Sequence, residues 1–259
     1  VLFRSSCDPN SYIAGLGVMA AVLPPWLFDQ GPVIAAERLG DPVIREKVKG
    51  DLNRYWLMVA RGEWDILWLG RTSNSMHHFG KSFIDIADAM HRQPLDAYLD
   101  ILQAEGAGIA DAGMFGEVKS HDHLRELVRH PLVAIEADAW TASIDGPLAS
   151  MVNHPASFGW TARVLGDYVR DRGWLRLEEA VMKFTGMPAA KFGLRDRGIL
   201  RRGLAADVTV FDAATIADRA SFDRPAVYPD GIRYVIVNGA VAVTDGRLVG
   251  TRCGQVLAA

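Results

Sequence analysis

A chain of 259 residues with 49% hydrophobic and 23% charged residues has the balance of a folded protein, with room for one large domain or a domain and a small appendage. A formal net charge of −3 gives no reason to invoke nucleic acid or an anionic membrane as a partner, and no apolar run reaches the length of a membrane-crossing helix. Cys7 and Cys253 are too few for a disulfide framework and form no C-x-x-C pair, so a reducing cytoplasm is the expected compartment.

Residues 1–7 stand apart. They carry neither an initiator Met nor the apolar core of a secretory signal. The run Val1-Leu2-Phe3-Arg4-Ser5 can be encoded by a stretch resembling the end of a sequencing-library adapter, so this segment reads as an artefact or a truncated start. From residue 8 to 197, helical stripes alternate with short apolar runs. Ile66–Leu69, Ile109–Phe115 and Leu132–Ile135 are the strand candidates. Leu95, Tyr98, Leu99 and Leu102 recur at helical spacing behind Pro94, which suits a first turn. Leu124, Leu127 and Val128 do so behind Ser120, a plausible N-cap. Leu177, Ala180, Val181 and Phe184 form a third stripe, expected to end near Gly186 and Pro188. Strands alternating with helices predict parallel βα units.

The character changes at about Gly198. The apolar runs Ala206–Phe211, Tyr234–Val237 and Ala240–Val243 predict strands, and Asn238-Gly239 between the last two predicts a hairpin, because both central residues of a type I′ turn need positive φ. Asp245-Gly246 marks a further turn. Residues 198–259 thus read as a small antiparallel β module following an α/β domain.

Several polar residues invite a chemical reading. His121 and His123 make an H-x-H, but they follow Ser120 at a helix start, where positions i and i+2 do not share a face. His77-His78 reads as a solvated loop, His91 as a surface helical residue and His130 as the end of a helix. Asp138 follows the run Leu132–Ile135; by position alone it is a helix N-cap or a strand-end turn aspartate.

Three segments together resemble the D-aminoacylase branch of the amidohydrolase superfamily. They are VLPPWLFDQGP at 22–32; GKSFIDIADAMHRQPLDAYLDILQAEGAG at 80–108, leading to HPLVAIEADAW at 130–140; and NHPASFGWTARVLGDYVRDRG at 153–173, followed by the stretch 177–212. The Gly198, Gly203, Ala206, Asp207 frame is the superfamily's, and the Val-Leu-Gly-x-Tyr-Val stretch is the branch's. The resemblance implies the later βα units of a (β/α)₈ barrel over residues 8–197 and a small β-sandwich module over 198–259. It implies hydrolysis of the amide bond of N-acyl, in particular D-, amino acids with one or two zinc ions, whose H-x-H and most other ligands are expected upstream of residue 1. It makes Asp138 the catalytic carboxylate and a possible metal ligand, and Tyr12 matches an aromatic position near the family's site; His154, in the loop after Asp138, and Arg163, whose fork suits a substrate carboxylate, are the further candidate substrate contacts. The bland readings are a loop-anchoring hydrogen bond for His154, a packed tyrosine for Tyr12 and a helix-surface salt bridge for Arg163. The expected partner is a small N-acyl amino acid.

The sequence departs from the branch's pattern in places. Glu136-Ala137-Asp138-Ala139 stands for the usual Gly-Ser-Asp-Gly, and His154-Pro155-Ala156 for His-Pro-Arg. These departures keep two alternatives in play: an amidohydrolase of cyclic amides or other C–N bonds, and a non-catalytic relative that retains the barrel as a scaffold.

Overall fold

Ile13 and Lys119 are neighbours: the Lys119 N–H donates to the Ile13 carbonyl at 3.2 Å. The residues between them form one long excursion, and the chain accordingly divides into two units, Ala14–Val118 and the remainder. The computed structural model describes residues 7–141, 143–149, 152–250 and 252–257; of the segment expected to be an artefact, all but Cys7 lies outside them.

The excursion contains a three-stranded antiparallel sheet. Strand β1 (Ala14–Val18) and strand β2 (Leu67–Leu69) flank β3 (Gly113–Glu117). Parallel βα units are therefore not what this stretch builds. β1 and β3 are the outgoing and returning legs of one loop of chain, with Ala14 opposite Glu117, so they must run in opposite directions. The strand expected from Ile109 starts only at Gly113, because Gly106–Ala110 continues the preceding helix as a 3₁₀ turn.

Helices α1 (Pro32–Arg38), α2 (Pro42–Gly50), α3 (Leu57–Arg61), α4 (Phe83–Met90) and α5 (Pro94–Ala104) complete this unit. Each of the clearer starts has a local cause. Asp41 and Ser82 accept backbone N–H groups at the N-termini of α2 and α4, and Pro94 opens α5 as expected. The stripe Tyr98, Leu99, Leu102 is fully buried with Phe83, Met19 and Leu27, and the Tyr98 hydroxyl donates to the Met19 carbonyl at 2.6 Å.

In the second unit, Ser120 caps α6 (His121–Arg129) through the His123 N–H. Residues 133–136 run extended beside residues 7–10 and pair with them through two parallel bridges, Cys7 to Val133 and Asn10 to Glu136. This is the parallel pairing present in the described residues; they close no barrel, and Leu132–Ile135 forms no longer strand. Helix α7 (Ala156–Arg163) continues as a π-helix over Val164–Asp171. Helix α8 (Leu177–Phe184) follows. It ends at Thr185, beside the expected stop at Gly186 and Pro188, and a separate helix α9 (Gly186–Lys191) follows, where a proline in the first turn lacks only an N–H that needs no partner.

Strands β4 (Val208–Phe211), β5 (Ile232–Val237), β6 (Ala240–Thr244) and β7 (Arg247–Leu248) form an antiparallel sheet in sequence order. Asn238 and Gly239 have φ of 49° and 82°, the left-handed backbone that the hairpin turn requires. Asp207 anchors this turn. One carboxylate oxygen accepts the Asn238 N–H at 2.7 Å and the other accepts from Arg197 at 2.6 Å. Around Ile216, the core of this unit gathers Leu124, Val128, Ile135, Ala162, Leu165 and Tyr168.

Candidate active site

The parallel pair 7–10 and 133–136 is held from behind by a buried lysine. Lys183 Nζ donates to the carbonyls of His130 (2.6 Å) and Val133 (2.8 Å), and its own carbonyl accepts the Ile135 N–H. Burial pushes the Lys183 ammonium below its ordinary value, so the two carbonyls compensate a charge that has lost its water. Immediately beyond this segment the chain turns. Asp138 adopts a left-handed φ of 44°, which aspartate tolerates better than most residues. Its N–H donates to the Glu136 carboxylate, and its side chain is exposed.

Asn10 links the two extended segments at this point. Its amide donates to the Ala137 carbonyl and accepts the Tyr12 N–H at 2.9 Å. The residue before Asp138 and the backbone of Tyr12 are thus tied to one side chain. Around the turn lie charges of both signs. Burial raises the Glu136 carboxyl above its ordinary value, and the Asp138 and Asp8 carboxylates push it the same way while Lys119 opposes them. Burial lowers Lys119, against the pull of Glu136 and Asp138. The Asp138 carboxylate is thus exposed on a turn that also gathers a second carboxyl and an ammonium.

Tyr12, His154 and Arg163, singled out separately in the sequence, come together. The Tyr12 and His154 rings meet edge to face at 5.1 Å, and the Arg163 guanidinium lies over the Tyr12 ring at 4.5 Å. A fourth residue that no motif had marked, Asp218, completes the group. The Tyr12 hydroxyl donates to its Oδ2 at 2.6 Å, and Arg163 stands 3.7 Å from the same oxygen. Arg163 is therefore no helix-surface salt bridge: its partner is a buried carboxylate far away in sequence. Burial and the Asp218 carboxylate both hold the Tyr12 phenol protonated far above the usual range. Arg163 also donates to the Tyr168 hydroxyl at 3.4 Å, and that hydroxyl donates to the Ser11 carbonyl. His154 accepts the Ala156 N–H on Nδ1 at 3.0 Å, which places its own proton on Nε2.

The remaining histidines do not join this group. His121 and His123 are exposed on the first turn of α6, and His91 ends α4 in a left-handed conformation. His77 and His78 sit on a 3₁₀ turn. His78 is buried rather than solvated, and burial lowers its pKa. Among the described residues, no group of three or more His, Cys, Asp or Glu gathers closely enough to hold a metal ion. The described residues thus do not by themselves make a metal centre. No helix among the described residues is long and apolar enough to cross a membrane.

Comparison with known proteins sets these residues in a family. Over 105 residues, 40% of this chain and 22% of the relative, it is 49% identical to a D-aminoacylase of Alcaligenes xylosoxydans xylosoxydans. It is 38% identical over 157 residues to an N-acyl-D-aspartate deacylase of the same organism, covering 60% of this chain and 30% of the relative. A solved D-aminoacylase structure superposes on 97% of this chain with a TM-score of 0.66 and 26% identity, the match spanning 42% of that protein. The N-acyl-D-glutamate deacylase of Bordetella bronchiseptica, solved with zinc and a phosphonate inhibitor, superposes with a TM-score of 0.61 and 26% identity, over 94% of this chain and 41% of that one. The chain thus spans less than half the length of each of these proteins. The amidohydrolase family model matches residues 87–243, more than half of this sequence, and the chain belongs to the amidohydrolase family.

Proposed function

We propose that this chain supplies the Asp138-bearing part of a hydrolase that cleaves the amide bond of N-acyl amino acids, D-amino acids in particular. Its relatives are enzymes named for N-acyl-D-amino acids. The observation that carries the reading is the convergence of Tyr12, His154 and Arg163 on one group, with Asn10 tying the Tyr12 backbone to the turn that presents Asp138. In this reading the extended segments paired at 7–10 and 133–136 belong to the later part of a barrel, and residues 198–259 form its β module.

Asp138 is the proton carrier. An amine does not depart as an anion, so amide hydrolysis needs a group that takes a proton from the attacking water and returns it to the leaving nitrogen. An exposed carboxylate on a turn is accessible for both steps. His154 packs edge to face against Tyr12, and the Arg163 and Tyr12 pair sets the charge of the site that receives the amino-acid carboxylate. Zinc, as in the Bordetella relative, would supply the Lewis acid, and its ligands other than Asp138 would come from outside the described residues.

The test is Asp138→Asn in an active hydrolase carrying this chain. Asparagine keeps the shape but cannot take up a proton, so turnover should fall by about 10²–10⁴-fold even where metal remains bound. Near-normal turnover would assign the shuttle to another residue. His154→Ala should instead lower kcat/KM and leave the metal in place. The Glu136-Ala137-Asp138-Ala139 run favours one rival, a scaffold that retains the fold without turnover.

A further inference from the structure

Asp218 belongs to the segment between β4 and β5, outside every motif that pointed to the site, yet it is buried against it. The segment reaches that position because the helix beneath it carries glycines. A Cβ at Gly159 in α7 would lie 1.9 Å from Asp218 Oδ1, and a Cβ at Gly166 in the π-helical continuation would lie 2.6 Å from the Ile216 carbonyl. Neither position leaves room for a side chain. Asp218 Oδ1 accepts the Ala220 N–H at 2.9 Å, while Oδ2 accepts a hydrogen bond from the Tyr12 hydroxyl and faces Arg163. The Asp218 side chain is 8% exposed. A carboxylate this deeply buried is costly unless it is paired and hydrogen-bonded, and here one cation and two donors surround it.

We propose that Asp218 is a positioning residue for the substrate site: it orients the Tyr12 hydroxyl and holds the Arg163 guanidinium over the Tyr12 ring, so that the C-terminal β region takes part in building the site. The inference rests on the reading of Tyr12 and Arg163 as substrate contacts. If it holds, the carboxylate sets where the Tyr12 oxygen presents its lone pairs. It also tempers the positive charge of Arg163, so that the arginine attracts a substrate carboxylate without being locked to a second strong partner.

The experiment follows tyrosine ionisation by ultraviolet titration on the full chain, with circular dichroism at each pH to confirm the fold. In the wild type the Tyr12 phenol, buried beside the Asp218 carboxylate, should ionise above the usual tyrosine range. Asp218→Asn keeps the shape and an acceptor oxygen but removes the charge. It should bring one additional tyrosine into titration, at least about one pH unit lower than in the wild type, and adding Tyr12→Phe should remove it again. Gly159→Ala, whose methyl displaces the carboxylate, should have the same effect. In an Asp218→Ala background it should change nothing further at Tyr12.

Kinetics separate this proposal from the reading beneath it. With N-acetyl-D-glutamate as the probe in an active hydrolase carrying the chain, Asp218→Asn should raise KM about tenfold with little change in kcat, the signature of a lost binding pose. An unchanged Tyr12 titration in both Asp218→Asn and Gly159→Ala overturns the positioning role. An unchanged KM in Tyr12→Phe overturns Tyr12 as a substrate contact, and with it the claim that Asp218 serves binding, even where the titration responds.

Discussion

The Ala14–Val118 excursion and the region around Tyr12 are both well buried, but by different physics. The excursion packs Phe83, Tyr98, Leu99, Leu102, Met19 and Leu27 into an apolar interior, and its buried carboxylate, Glu105, is satisfied by the Thr72 hydroxyl and the N–H groups of Ser73 and Asn74. Around Tyr12 the buried groups are Asp218, His154 and much of Arg163, packed on one another and on the Tyr12 ring and hydroxyl. Apolar burial stabilises roughly in proportion to area and needs no partner. Polar burial approaches break-even only when every partner is present, and it fixes geometry in return.

The contrast can be broken at its strongest point first. Phe83→Ala in the excursion removes a fully buried ring and should cost about 3–5 kcal/mol in chemical denaturation; a loss below 1 kcal/mol would mean that this interior is loosely packed. Lys183→Met should cost less, about 1–3 kcal/mol, because it strands the His130 and Val133 carbonyls without opening a large cavity. If the methionine proves stabilising, the buried ammonium is a burden rather than a tie. Smaller still is a pH effect at Glu136. Its carboxyl is raised in the folded chain above the ordinary value of 4.5, so over that interval the folded state holds the proton more tightly than the unfolded one. Stability should therefore fall as pH rises from about 4.5 through the raised value, and Glu136→Gln should flatten that slope. A slope unaltered by Glu136→Gln would assign it to another group. Val241→Ala on the exposed side of the β4–β7 sheet should stay within about 0.5 kcal/mol.

What the sequence made legible is local. The α5 stripe behind Pro94, the Ser120 cap and the Asn238-Gly239 hairpin depend on residues a few positions apart, and each forms as expected. The direction of the excursion's strands was not legible, because helix–strand alternation says nothing about which strands become neighbours, and β1 and β3 meet across most of the unit. Of the site, Tyr12, His154 and Arg163 were named through their motif, but not their contact with one another. Asp218 was invisible for the same reason: its partner Tyr12 lies 206 positions away. Gly159 was the available signal, a glycine inside a helix with no turn to explain it, but it says that something approaches closely without saying what. Asn10 and Lys183 likewise look ordinary until their distant carbonyl partners are known.

The central claim, that this chain belongs to a hydrolase of N-acyl-D-amino acids, is tested most directly by the initial rates of an active-length protein carrying it on matched N-acetyl-D- and N-acetyl-L-amino acids, with zinc content assayed alongside. The account predicts hydrolysis of the D-compounds well above the L-compounds. Absence of turnover on every amide at full zinc occupancy, or a preference for the L-series, would contradict it.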